Sequence, residues 1–149
     1  MLYRPEDLAY IAGILDGEGY IGLVKHIETR VKRETICYAP VVNVSMTNKL
    51  AIDFINSLFE GNIWFSDKGE NTNRKGIFEW VAKGQKRTKE ILEAVLPFLK
   101  VKKEQAVTLL RFIERREKTS HKVKWGETSY TKEDNEYYNE IRKLNHKGR

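Results

Sequence analysis

From Leu8 to Arg116 the spacing of apolar residues switches from helical to alternating and back, twice over, which limits the chain to helices interleaved with β-hairpins. Leu8, Ile11, Ala12 and Leu15 recur at i, i+3, i+4 and i+7 and predict an amphipathic helix that begins near Pro5, a residue suited to a first turn. Gly17 and Gly19 should end it. From Tyr20 the period is two, with Ile21, Leu23 and Ile27 on one face and Val24, His26, Glu28 and Arg30 on the other. Beyond a charged turn at Arg33 and Glu34, Cys37 to Thr47 alternates again. Val42, Val44 and Met46 then point inward and Val41, Asn43 and Ser45 outward, so the two segments read as a hairpin.

Asn48 can cap a second helix in which Leu50, Ala51, Phe54, Ile55 and Leu58 form the apolar stripe, with Gly61 as its stop. The strand Asn62 to Lys68 sets Ile63 and Phe65 against Trp64, Ser66 and Lys68. A Gly/Asn-rich turn from Gly69 to Gly76 leads into Ile77 to Lys83, with Phe78, Trp80 and Ala82 on one side. Thr88 to Leu99 and Lys103 to Arg116 read as two helices parted at Pro97 and the lysines around Val101. A polar stretch from Glu117 to Tyr130 follows. Thr131 with Asp134 then opens a short terminal helix through Leu144, expected to pack loosely. The order is α, β-β, α, β-β, α, α, an α+β arrangement with a core over residues 1–116 and a basic linker and C-terminal helix over 117–149. The halves share no residue-level repeat.

A chain of 149 residues reads as one domain and buries roughly 68–70% of its unfolded surface, so it folds without staples. The lone Cys37 excludes a disulfide scaffold or zinc ribbon. Leu8 to Leu15 is far short of the ~20 apolar residues that a membrane helix needs, and the N-terminus lacks a secretory signal pattern. The expected address is an intracellular, reducing compartment, the cytoplasm or an organelle interior. Lys and Arg number 27 against 21 Asp and Glu, a net charge of +6 that favours a polyanionic partner.

Two features of the first helix run against propensity. Ala9, Gly13 and Gly17 form a stripe at i, i+4 and i+8, although each interior glycine costs about 1 kcal/mol relative to alanine. Such a stripe admits another backbone at close range, either the chain's own core or the same helix of a second copy. Asp16 and Glu18 lie at the negative end of the helix, where each acid is disfavoured by about 0.3–1 kcal/mol. Something cationic should compensate them. If two copies pair, four carboxylates converge, a hard oxygen site suited to Mg²⁺.

The nine residues Ile11-Ala12-Gly13-Ile14-Leu15-Asp16-Gly17-Glu18-Gly19 resemble the signature of the LAGLIDADG homing endonucleases. Ala12, Gly13, Asp16 and Gly19 are identical to the name-giving letters, and Ile11, Ile14, Gly17 and Glu18 are conservative departures. The resemblance spans roughly Leu8 to Arg116 and implies the αββαββα fold, with an antiparallel sheet forming a DNA-binding saddle. A single motif implies a homodimer paired through Ala9, Ala12, Gly13, Asp16 and Gly17. The family's metal-binding acid falls on Glu18, where the family usually has aspartate, with the Gly17 carbonyl as a further ligand. Asp16 takes a mainly structural part at the helix end. Met46-Thr47-Asn48-Lys49 resembles the segment that supplies a water-positioning residue, here Asn48. Pro97-Phe98-Leu99-Lys100-Val101-Lys102-Lys103 resembles the segment bearing the basic residue beside the scissile phosphate, here Lys102.

The implied activity is site-specific double-strand cleavage of a long, partly palindromic DNA target by metal-dependent phosphodiester hydrolysis, leaving short 3′ overhangs. Mg²⁺ is the expected cofactor; Mn²⁺ substitutes, and Ca²⁺ supports binding without cleavage. The outward strand residues His26, Glu28, Arg30, Asn43, Ser45, Ser66, Lys68, Glu79 and Lys83 become candidate base readers. Beyond the second hairpin, Lys118, His121, Lys122 and Lys124 are candidate phosphate clamps. Members of the family are typically encoded within introns, and relatives include intron-RNA maturases and non-cleaving DNA-binding regulators. Glu18, Asn48 and Lys102 together favour a cutting enzyme, because a pure binder has no use for acids at a negative helix end.

Overall fold

A computed structural model describes residues 2–29, 35–67, 75–119 and 130–146 of the chain. Helix α1 (Pro5–Glu18) leads directly into strand β1 (Gly19–Glu28), which pairs with β2 (Thr35–Met46); α2 (Lys49–Leu58), β3 (Asn62–Ser66) and β4 (Ile77–Lys83) follow. Helix α3 (Gln85–Val95), a 3₁₀ turn (Leu96–Phe98), α4 (Lys103–Thr119) and α5 (Lys132–His146) complete the order. This is the α, β-β, α, β-β, α, α sequence that the periodicity predicts.

The strands form one antiparallel sheet in the order β1-β2-β4-β3. Its register sets Ile21 opposite Val42 and Val44 opposite Trp80, all fully buried, because alternate residues point to one face. The helices cover that face, contributing Ile11, Ala12 and Leu15 from α1, Ile52 and Ile55 from α2, Ile91 and Leu92 from α3 and Phe112 and Ile113 from α4. Among the described residues, no helix contributes to the buried core from the other face of the sheet. No described helix is long and apolar enough to cross a membrane.

Several boundaries differ from expectation for identifiable reasons. Helix α2 ends at Leu58, with the Phe59 N–H returning to the Ile55 carbonyl at 2.9 Å, so Gly61 is not its stop. Gly61 instead makes room for a neighbour, since a Cβ there would collide with the buried Trp80 indole. Helix α3 begins at Gln85, three residues early. Its first turn is closed by Thr88, whose hydroxyl donates to the Gly84 carbonyl at 2.5 Å. Val41 lies on the outward face as predicted, yet it is buried there. Ile63 and Phe65 lie on the inward face at the sheet's β3 edge and remain exposed.

The terminal helix is the largest departure, because it does not pack loosely. Thr131 and Asp134 do open it, with the Thr131 N–H donating to Asp134 Oδ2 at 2.8 Å. Asp134 is fully buried and accepts from Arg115 Nη1 at 2.5 Å, and Ile141 is sealed into the core. Helix α5 also reaches the free edge of β1, where Asn145 Nδ2 donates to the Ile21 carbonyl at 3.1 Å. Tyr38 Oη donates to Asn135 Oδ1 at 2.9 Å. An exposed strand edge is thereby covered.

Candidate functional site

The C-terminus of α1 meets the N-terminus of α4, and two side chains make the junction. Asp16 accepts from the backbone N–H groups of Lys100, Val101 and Lys102 at 2.9, 3.1 and 3.0 Å. Those donors precede α4 and are groups that its own ladder leaves unpaired, so a carboxylate is stabilised there by both hydrogen bonds and the helix dipole. Lys102 reaches the other way. Its Nζ donates to the Leu15 carbonyl at 2.9 Å and to the Gly19 carbonyl, satisfying acceptors at the end of α1. The cationic compensation expected for the acids is therefore present as oriented N–H groups for Asp16 and one ammonium at the helix end. Burial pushes the Lys102 pKa below the usual lysine value, against the opposing pull of Asp16 and Glu18.

Glu18 has a different environment. It is exposed, with no hydrogen bond or ion pair among the described residues, and it borders an open cleft of about 290 Å³ with Ser45, Met46, Thr47 and Ile77. Asn48 follows that cleft in the chain and caps α2, its Oδ1 accepting from the Leu50 N–H at 2.9 Å. The amide nitrogen of Asn48 makes no hydrogen bond among the described residues. Gly17 lies in the last turn of α1, where carbonyls lack intrahelical donors. Among the described residues no three His, Cys, Asp or Glu side chains converge to hold a metal ion. One chain supplies one carboxylate and one carbonyl, hard oxygen donors of the right kind for Mg²⁺ but only part of a coordination shell.

The glycine stripe is not explained by this chain's own packing. Ala9, Gly13 and Gly17 are exposed, and a Cβ built on either glycine would meet nothing within 4 Å. Ala12, expected with them, instead faces the core and is fully buried, because it lies one position round the helix from Gly13. Asp16, the remaining member of that set, is committed to the start of α4.

The open face of the sheet carries the candidate readers. His26 stands half-buried opposite Cys37, Glu28 ends β1, and Asn43 lies between Tyr20 and Val81. Ser45 Oγ donates to Glu79 Oε2 at 3.2 Å, and Ser66 and Lys83 are exposed. Arg30, Lys68 and Lys122 lie outside the described residues, as do His121 and Lys124. Two features escaped the sequence reading. Trp64, 62% exposed on this face beside Glu79, was placed outward by alternation but carries no charge to flag it. A second cleft, of about 380 Å³, joins Lys102 to Arg142 and His146 of α5, a helix whose docking is not visible in its own periodicity.

No protein-family model matches the sequence, and no curated protein does. Solved structures do match. The homing endonuclease I-CvuI, in complex with a DNA target in the presence of Mg, superposes with a TM-score of 0.72 at 20% identity over 95% of this chain and 85% of that one. The archaeal intron-encoded homing endonuclease I-Vdi141I, complexed with DNA, gives 0.61 at 14% identity over 94% and 97%. The LAGLIDADG homing endonuclease I-GzeII, bound to its DNA target, gives 0.60 at 16% identity. This chain has the LAGLIDADG homing-endonuclease fold. It matches I-GzeII over 94% of its own length but only 44% of that chain.

Proposed function

We propose that the chain is a homodimeric, divalent-metal-dependent LAGLIDADG homing endonuclease that cuts both strands of a long, partly palindromic DNA site. One observation carries the reading: the open glycines of α1 run directly into Glu18, an exposed carboxylate with no hydrogen bond or ion pair among the described residues. Two such helices, packed through Ala9, Gly13 and Gly17, bring two Glu18 side chains together at the dimer axis. The match to 44% of the longer I-GzeII chain is consistent with one protomer supplying half of such an assembly.

In that dimer the Glu18 carboxylates and Gly17 carbonyls would hold Mg²⁺, which when bound activates water and stabilises a leaving oxygen. Lys102 presents positive charge beside the same helix end and offsets charge developing on the phosphate. Asn48 orients a water through its free amide nitrogen while its oxygen holds α2 in place. Asp16 fixes the backbone from which Glu18 projects. The open sheet face enters the major groove, where each base pair offers a distinct pattern. Two copies at +6 each supply the electrostatic attraction.

The test is selection of bound DNA from a random pool in Ca²⁺, followed by addition of Mg²⁺ and mapping of strand ends. The expected result is a partly palindromic site of about two helical turns, cut on both strands near its centre with 3′ overhangs. An enriched site left intact in Mg²⁺ and Mn²⁺ would turn the reading toward a non-cleaving binder. No enrichment would turn it toward an RNA partner.

A further inference from the structure

Across β2, β4 and β3 the residues Ser45, Glu79 and Trp64 stand in one row on the open face of the sheet, Glu79 being opposite Ser45 on one side and Trp64 on the other. Adjacent strands lie about 4.8 Å apart, so the row spans about 10 Å and fits the ~12 Å width of the major groove. Ser45 also lines the cleft at Glu18. The row thus begins beside the candidate cutting site, and Trp64 lies at its outer end.

The chemistry of the row is unusual for a surface that meets DNA. Glu79 makes no ion pair among the described residues; its hydrogen bond is from Ser45 Oγ, at 3.2 Å to Oε2. That bond restrains the carboxylate through Oε2, and Oε1 has no hydrogen bond among the described residues. A fixed negative charge repels a polyanion unless a base amino group meets it, so it rejects most sequences more than it favours one. Two major-groove edges offer such a donor. The adenine amino group lies between the acceptors N7 of adenine and O4 of thymine, which a second carboxylate oxygen would oppose. The cytosine amino group has an acceptor on one side only, with C5–H on the other. Trp64, 62% exposed, is flanked on this face of its own strand by the polar Asn62 and Ser66 and offers an apolar surface suited to a thymine methyl.

We propose that this row determines specificity: Glu79, held by Ser45, selects a cytosine in each half-site through its N4 amino group, and Trp64 selects a thymine at the adjacent outer position. This rests on the DNA-binding reading above. The experiment compares the sequences that wild type, Glu79→Gln, Trp64→Ala and Ser45→Ala enrich from one random DNA pool in Ca²⁺. Wild type enriches cytosine at one position per half-site by about tenfold over other bases, the order of discrimination of one good base contact. Glu79→Gln moves that preference toward adenine, the usual partner of a glutamine amide, and leaves positions remote from the row as they were. Ser45→Ala weakens the cytosine preference without moving it, and Trp64→Ala flattens the neighbouring thymine. A Glu79→Gln profile identical to wild type, or one altered evenly across the site, overturns the assignment while leaving the DNA reading intact. A wild-type protein that enriches nothing overturns both.

Discussion

Asp16 and Lys102 tie the end of α1 to the start of α4 from both sides. The Asp16 carboxylate, on α1, accepts from the N–H groups that precede α4, and the Lys102 ammonium, at the head of α4, donates to the carbonyls that end α1. The Lys102 carbonyl in turn accepts from the Ala106 N–H at 3.1 Å as the first bond of α4. Glu18 lies between Asp16 and Gly19, both tied to this junction. Its backbone is therefore fixed on either side while its side chain stays open.

Asp16→Ala should remove a charge-assisted cap from α4 and release one side of the junction. The expected loss is about 2 kcal/mol, the upper range for an N-cap, because three N–H groups lose their acceptor together. For a chain of this size that lowers Tm by about 6 °C. An unchanged melting temperature would show that Asp16 does not anchor α1 to α4.

Lys102 gives a pH signature. Burial disfavours its charged form in the folded chain, so its folded pKa lies below the unfolded value. Well below the folded pKa both states are protonated and the burial penalty acts in full. As pH rises through the window between the two values the unfolded state binds more protons, and this group's contribution to stability rises. Activity should run the opposite way: cleavage that needs the ammonium falls as pH approaches the lowered pKa, and Lys102→Arg should remove that alkaline limb. A limb of equal size in the arginine variant would exclude Lys102 as its source.

Gly13 separates the fold of one chain from its association. A Cβ there meets nothing in this chain, and alanine is favoured over glycine inside a helix by about 1 kcal/mol. Gly13→Leu should therefore leave the protomer folded by circular dichroism while it weakens the dimer in sedimentation velocity. A dimer of unaltered affinity would refute close helix pairing.

The element order and inward faces were legible in the sequence because burial imposes its period directly on Ile21, Val42, Val44 and Trp80. Glu18, Asn48 and Lys102, the residues proposed to act in cleavage, are visible only through a misplaced acid at a helix end and three short segment resemblances, since none of them has a periodic signature. What Asp16 and Lys102 do there was hidden, because their partners lie more than 80 positions away and are backbone groups that every residue carries. The same holds for α5, whose docking depends on Arg115 and on an unpaired strand edge. Alternation puts Trp64 on the outward face, but a neutral side chain gives no electrostatic sign of a partner.

Helix α5 is held at its start by a buried ion pair, so it offers a further test. Asp134 is fully buried against Arg115 and lies 3.8 Å from Arg116 Nη1, and the Arg116 guanidinium also sits 3.8 Å from the Tyr130 ring centroid. Asp134→Ala removes the one fully buried carboxylate shared by two arginines, while Arg115 keeps Glu133 and Arg116 keeps the Tyr130 ring, and should cost about 3 kcal/mol in urea unfolding. Hydrogen exchange in α5 should rise first. Protection of α5 equal to wild type would mean that Ile141 and the β1 edge hold it unaided.

Glu18 is the position where function and stability should part most clearly. It is an acid at the negative end of α1 with no hydrogen bond or ion pair among the described residues, and the nearby Lys102 ammonium offsets only part of a cost of at most about 1 kcal/mol. Glu18→Gln removes that cost, so the variant should melt at or slightly above the wild-type temperature. It also removes a negative charge facing DNA, and affinity for the selected site in Ca²⁺ should hold or rise. Cleavage in Mg²⁺ should nevertheless fall by at least about 10³-fold, the scale set by removing one group that acts on the reacting phosphate. Glu18→Asp should retain measurable cutting, because a carboxylate remains at the same helix end. A Glu18→Gln protein that cuts at the wild-type rate would remove Glu18 from the chemistry and leave its exposed charge without a purpose.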